Sequence, residues 1–497
     1  MSAILCHTNI SEVVSKYPPK PVTNLKLTPG KFLVSLTWED PQDYTEEGYT
    51  CTWVKTVVVR KTGGYPKDIH DGTVVVTTVE RDKHKSIGYD DTGLTAGTTY
   101  YYRVFSCSAD GVYGTPAEGN GVPKSYKVMT VKINLNNSNP EKCGSYADDA
   151  VGMNSGINAN EWIDFFGIKP CYVDINKMKV YRYLNPNDYT KFEDGTDSNL
   201  SSNQTYYVMV EFPRRGLRIT KSGETLIISM TNDPDDPDFQ YYAHTSAQDA
   251  KQYFYLAVYP TKGNMSLSHV YIEYTSTVSV EPKSWNDGTL SICGFYQWTY
   301  LQAMYLLQFK GDFNSQKNIG YGYLGQAPLW PTGTSDDIKA LSGATSNASK
   351  LFGLENPWGN ATQLLNGIQI IYSSNKCNIY VTTDPTAKLY EYTNASKWTL
   401  LQTTSHVPGG YYTSCIGSSL GGFYPDLRSS GMSAANGSSA TYFCDYSIGT
   451  SSDNYMCMVG GHCGQYASEW NGMFYWSVIE QYYNDKNDLV FRYMIYL

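Results

Sequence analysis

Cys457 and Cys463 stand six apart across the Gly460-Gly461 pair, and His462 adjoins the second of them. A soft-metal site needs thiolates that converge on one point, and two positions flanking a tight turn can converge. The opposing reading is a pair of buried thiols acting as small apolar groups. Carboxylates gather in two other places, the acidic turns 183–195 and 232–238. Glycan hydrolysis needs two carboxylates in one cleft, about 5–10 Å apart. These turns are rich in Asp-Pro and Asp-Gly, which build turns unaided, so the expectation is a structural role or a weak calcium site. The third group lies between Gly461 and Arg492: His462, Gln465, Tyr466, Ser468, Glu469, Trp470, Asn471, Tyr475, Ser477, Tyr482, Tyr483, Asn484 and Asp485. The two glycines supply a tight backbone position. Polar and aromatic side chains then alternate with Met473, Phe474 and Val478. By itself that pattern is compatible with an ordinary polar loop closing a domain.

The elements that position these residues are β-rich by composition. Charged residues make up only 17% of the 497, and Gly, Ser and Asn are abundant, which suits strands and turns better than helical bundles. At roughly 150 residues per domain the length allows about three domains. Tyr is the outlier, with 45 copies against 16 Phe. Its ring packs on one side and offers a hydroxyl on the other, which binding surfaces exploit, although most of these rings are expected to fill strand positions. The net charge of −9 and the lack of a basic cluster disfavour nucleic acid, since phosphate binding needs a concentrated positive field. No apolar run approaches the roughly 18 residues of a membrane span. The start, Met1 to His7, lacks the basic and apolar regions of a secretion signal. Eleven Cys without a CxxC pair read as reduced thiols in a protein made in a cytoplasm.

Residues 1–18 are expected to be a leader or anchor, closed by Pro18-Pro19. From 19 to 123 short strands follow one another: Leu33 to Trp38, Val57 to Arg60, and Thr73 to Thr78. A Leu94-x-x-Gly97-Thr98-x-Tyr100 corner comes next. This resembles a fibronectin type III domain, whose core would hold Trp38, Leu94 and either Tyr100 or Tyr102. Residues 124–285 read as a central β-rich domain. Its Leu184-Asn185-Pro186-Asn187, Glu211-Phe212-Pro213 and Tyr241-Tyr242-Ala243-His244 segments are similar to those of tail proteins from phages of Gram-positive gut bacteria. In 286–497 the spacing of Trp298, Leu301, Met304, Tyr305 and Phe309 predicts a helix over 296–310, stopped by Gly311.

Gly353-Leu354 with Gly359-Asn360, then Gly460-Gly461 and finally Phe491-Arg492, resemble the C-type-lectin-like fold. That fold is shared by formylglycine-generating enzymes and the variable proteins of diversity-generating retroelements. The resemblance implies a helix beneath a display face, with the polar and aromatic residues after Gly461 turned to solvent and to a receptor. In the enzymes of this fold, Gly-Asn-x-x-Glu-Trp helps to hold a metal. Here Gln363 and Leu364 replace the Glu and Trp, which weakens any calcium site and leaves Asn360 and Trp358 structural roles. The enzymes also bind copper through paired cysteines, for which Cys457 and Cys463 are the candidates, but their wider pattern is missing.

The combined expectation is a mainly β, multidomain chain: a fibronectin type III sandwich, a central β-rich domain, and a C-terminal α+β lectin-like variable domain. It implies a phage tail or baseplate receptor-binding protein, not an enzyme, with no cofactor. It would form a homotrimer in the virion and contact other tail proteins and a bacterial glycan or protein receptor. The alternatives are a bacterial or prophage surface adhesin, which should carry an export signal or anchor, and a formylglycine-generating-type oxidase.

Overall fold

The computed structural model describes residues 17–137, 139, 141–200, 206–246, 250–261, 268, 290–324, 331–373, 376–384, 397–404, 410–411, 445–449, 455–461, 471–478 and 489–497. The chain is mainly β, in several sheets. It divides into two compact units, 1–126 and 127–497.

The first unit pairs a three-stranded and a four-stranded antiparallel sheet. In the former, Leu33–Glu39 lies between Thr23–Gly30 and Tyr89–Asp91. In the latter the order is Thr73–Thr78, Trp53–Thr62, Tyr100–Ser108 and Ala117–Gly121. Leu33–Glu39 alternates strictly between half-buried and buried positions, as a strand with one face on a core must. Its inward side chains Val34, Leu36 and Trp38 join Val58, Leu94, Tyr102 and Val104 in one core. Buried polar groups tie the two sheets together. Arg60 donates twice to Asp91, at 2.7 and 2.8 Å, and the Tyr102 hydroxyl donates to the same carboxylate at 2.8 Å.

The second unit comprises 127–497. Its seven-stranded antiparallel sheet has the order Asp188–Phe192, Lys179–Asn185, Lys169–Asp174, Tyr206–Pro213, Tyr253–Ala257, Tyr493–Tyr496 and Leu290–Ile292. The C-terminal strand therefore sits between 253–257 and 290–292, with Tyr255 opposite Ile495 on one side and Leu290 opposite Ile495 on the other. Sequence patterning placed a domain boundary at 285/286. Residues 127–497 form one compact unit, in which a strand from the far end of the chain completes the sheet of the central residues.

The helix Phe295–Gln308 is buried along its whole length. It packs against the strands Val128–Asn134 and Thr225–Thr231 of a four-stranded sheet and against the long strand Thr362–Ser373. A helix with no solvent face is a core element, consistent with Trp298, Leu301, Met304 and Leu307 all lying at 1% exposure or less. It ends two residues before the expected limit. Lys310 adopts φ +53, and the Gly311 N–H reaches back to the Leu306 carbonyl at 2.7 Å, a Schellman-type stop in which Lys310 takes the left-handed position. A second helix, Asn160–Phe166, was not expected from sequence. Trp162, Phe165 and Phe166 form its buried stripe, and Gly167 closes it at φ +67.

Candidate functional site

The strand Thr362–Ser373 organises the region. It pairs with Lys376–Val381 and with Tyr455–Val459, and it meets Leu489–Val490 in parallel. The two separated stretches of the sequence therefore come together on it. At their junction Gly359 and Asn360 take φ +75 and +65, and the Gly359 N–H donates to the Gly460 carbonyl at 3.1 Å. The approach leaves no room for side chains: a Cβ on Gly460 would lie 2.5 Å from the Pro357 carbonyl oxygen. Trp358 is fully buried, and its indole N–H donates to the Gly320 carbonyl at 2.7 Å.

Beneath the turn lies a buried polar brace. Arg492 is 1% exposed. Its guanidinium donates to the carbonyls of Ala257, Val258 and Glu355 at 2.5–2.6 Å and to Gln363 Oε1 at 3.2 Å. Gln363 in turn donates through Nε2 to the carbonyls of Asn356 and Pro357, at 2.8 and 3.0 Å. The amide is thus both acceptor and donor, a combination a carboxylate cannot supply. Burial pushes the Glu355 carboxyl up to about 7, against the pull of the Gly333 and Ser335 N–H groups that donate to it. Burial likewise lowers Lys350 to about 8, where its ammonium donates to the Ile338 carbonyl and sits 4.0 Å from the Tyr189 ring centre.

No protein-family model and no curated protein matches this chain.

The expected recognition residues fall into two sets. His462, Gln465, Tyr466, Ser468, Glu469, Trp470, Tyr482, Tyr483, Asn484 and Asp485 lie outside the described residues, as do Cys463 and residues 1–16. Asn471, Tyr475 and Ser477 are described, and they do not face solvent: their exposures are 2%, 1% and 3%. This corrects the expectation for those three. Their stretch is an anchor. Asn471 accepts through its carbonyl from Gln316, the Met473 N–H donates to Ser315 Oγ at 2.9 Å, and the Phe474 N–H donates to Asp445 at 2.7 Å. Ser477 and Trp476 then pair with Met458 and Val459. Alternation of polar and apolar residues implied one wet face, but here both faces meet protein.

Cys457 lies in the core, and burial drives its thiol well above the ordinary range; metal binding or nucleophilic attack needs the thiolate. The acidic turns are occupied by their own chain. The 183–195 stretch is the hairpin of Lys179–Asn185 and Asp188–Phe192. In it Asp188 accepts from Thr190 and Lys339, which lower its carboxyl to about 2, and Asp194 pairs with Arg182. In 232–238, Asp233 and Asp236 accept from the N–H groups of Asp235 and Asp238 at 3.1 and 3.0 Å, the Asx turns that such sequences favour. Among the described residues no three His, Cys, Asp or Glu side chains are grouped to hold a metal, and no helix is long and apolar enough to cross a membrane. Sequence reasoning missed Glu355, Lys350 and the 320–324 loop. The repeated Gly-Tyr of Gly320 to Tyr323 was a visible cue to the last.

Proposed function

We propose that this chain is a phage tail or baseplate receptor-binding protein that recognises a bacterial surface ligand through its C-terminal region. The first unit is read as a fibronectin type III module, a rigid spacer. The strand arrangement, the buried Trp38 and the Tyr100 hydroxyl accepting from the Thr95 N–H at 3.1 Å support that reading. The second unit is read as a lectin-like variable domain fused to its β-rich support.

The observation that carries the proposal is the joint anchoring of both ends of the 462–488 stretch. Gly460 is hydrogen-bonded to the Gly359 turn, Leu489 pairs with Thr362, and 471–478 is pinned between them. Sequence in 462–470 and 479–488 can then vary while its supports stay fixed, the arrangement a recognition surface requires. A single such site would bind weakly. A homotrimer on a virion would gain strength by multivalency.

The test is binding of the labelled full chain to intact bacterial cells, with and without Tyr466, Trp470, Tyr482 and Tyr483 changed to Ala. Loss of binding by the folded variant places the receptor surface on these two stretches. Equal binding by both removes it from them. Light scattering checks the oligomer, with three times the chain mass expected.

A further inference from the structure

A recess of about 470 Å³ opens beside the Gly359-Asn360 turn, well within the size range of small-ligand sites. Tyr321, Tyr323, Leu324, Thr345, Ser346 and Asn347 line it. Tyr321 is 45% exposed, whereas most of the described aromatic rings of this unit are interior. No charged side chain is among the described lining residues. The walls therefore offer an aromatic face, hydroxyls and one side-chain amide.

The backbone of this recess is fixed from both sides. The Gly320 carbonyl accepts from the Trp358 indole at 2.7 Å, and the Tyr323 carbonyl accepts from the Asn360 N–H at 2.9 Å. Gly320 and Gly322 take φ +145 and +67. A Cβ on Gly320 would lie 2.5 Å from Ala344 Cβ, and one on Gly322 would lie 2.9 Å from the Trp358 carbonyl oxygen. In the second lining stretch the Thr345 N–H donates to the Ala348 carbonyl at 2.9 Å, and the Asn347 N–H to Thr345 Oγ1 at 3.2 Å. A lining whose backbone is held this way needs little ordering of the chain on contact with a ligand.

We propose that this recess is a binding subsite for a neutral hexopyranose unit of a glycan. The apolar C–H face of such a sugar stacks on the Tyr321 ring, and its hydroxyls pair with the Thr345, Ser346 and Asn347 side chains, which both donate and accept. An anionic sugar would meet no cation on the described walls. The subsite is separate from 462–488 and stands whether or not that stretch contacts a receptor.

Saturation-transfer NMR on the full chain tests it, using the methyl glycosides of glucose, galactose, mannose, rhamnose and N-acetylglucosamine, with N-acetylneuraminic acid as the anionic control. At least one neutral glycoside is expected to receive saturation at its ring C–H protons. Tyr321→Ala should weaken that binding about tenfold, the loss of roughly 1.4 kcal/mol, while Tyr321→Phe, which keeps the stacking face, retains it. Changing Tyr466 and Trp470 to Ala should leave it unaltered. The proposal is overturned if no neutral glycoside binds, if Tyr321→Ala binds as well as the parent, or if the acidic sugar binds equally well.

Discussion

The Gln363 amide nitrogen donates to two buried carbonyls. Gln363→Glu removes both donors and sets an anion against the Asn356 and Pro357 oxygens. The expected cost is roughly 1–3 kcal/mol even with Arg492 alongside, read as a lower urea midpoint; an unchanged midpoint would refute this role. Two buried groups make stability depend on pH in opposite directions. Glu355 titrates at about 7 instead of 4.5. Between those values the folded chain keeps a proton that the unfolded chain has released, so stability falls as pH rises. His244, fully buried against Phe254 and Tyr300, is lowered by burial to about 3 from 6.5. Its contribution is present above pH 6.5 and is lost as pH falls toward 3. Across pH 4.5–6.5 the two oppose each other. Glu355→Gln should therefore gain stability with pH more steeply than the parent over that window. Its absolute stability also drops, since an amide nitrogen cannot accept from Gly333 or Ser335; the slope is the readout, and a slope equal to the parent's would count against the assignment.

At the scale of elements, glycines set how closely the segments approach. Gly359 has φ +75, and a Cβ there would lie 2.7 Å from the Tyr321 carbonyl oxygen. Gly359→Ala is expected to destabilise by about 1–3 kcal/mol and to loosen the loop that carries Tyr321. Gly144→Ala is more severe, because its Cβ would fall 1.6 Å from the Lys310 carbonyl oxygen at the end of the central helix. Thermal melts of both variants should rank Gly144→Ala below Gly359→Ala, and the reverse order would contradict the packing described. The central helix was legible from its apolar spacing, whereas Asn160–Phe166 was not. Seven residues span two turns, too short for a periodic pattern to stand out from the strands around it.

The whole molecule is expected to unfold in two transitions, one for 1–126 and one for 127–497, resolved by calorimetry of the full chain and of each unit alone. A chain ending at residue 488 loses the strand Tyr493–Tyr496 from inside the seven-stranded sheet, together with the Arg492 brace. It should lose near-ultraviolet circular dichroism in the second unit and keep the first unit's transition. Expressing 127–285 and 286–497 apart should give no folded half. Two independently folded halves would restore the boundary that sequence patterning suggested.

The sequence by itself determined the β-rich class, Trp38 and Leu94 in the core of the first unit, and the central helix. Each of these is written in local periodicity and in residue types with strong conformational preferences. The choice of Tyr102 over Tyr100 came from the structure. That Gly359-Asn360, Gly460-Gly461 and Phe491-Arg492 belong together was an expectation from resemblance alone, written in no local pattern; the structure brings the Gly359 and Gly460 turns into hydrogen-bond contact. Only the tertiary structure decided that the last strand completes a sheet begun more than two hundred residues earlier, because strand pairing at that distance depends on no local pattern. Only it decided that Asn471, Tyr475 and Ser477 are anchors. A side chain's exposure is fixed by what packs on it, and a polar residue whose neighbours satisfy its hydrogen bonds is as well placed inside as out.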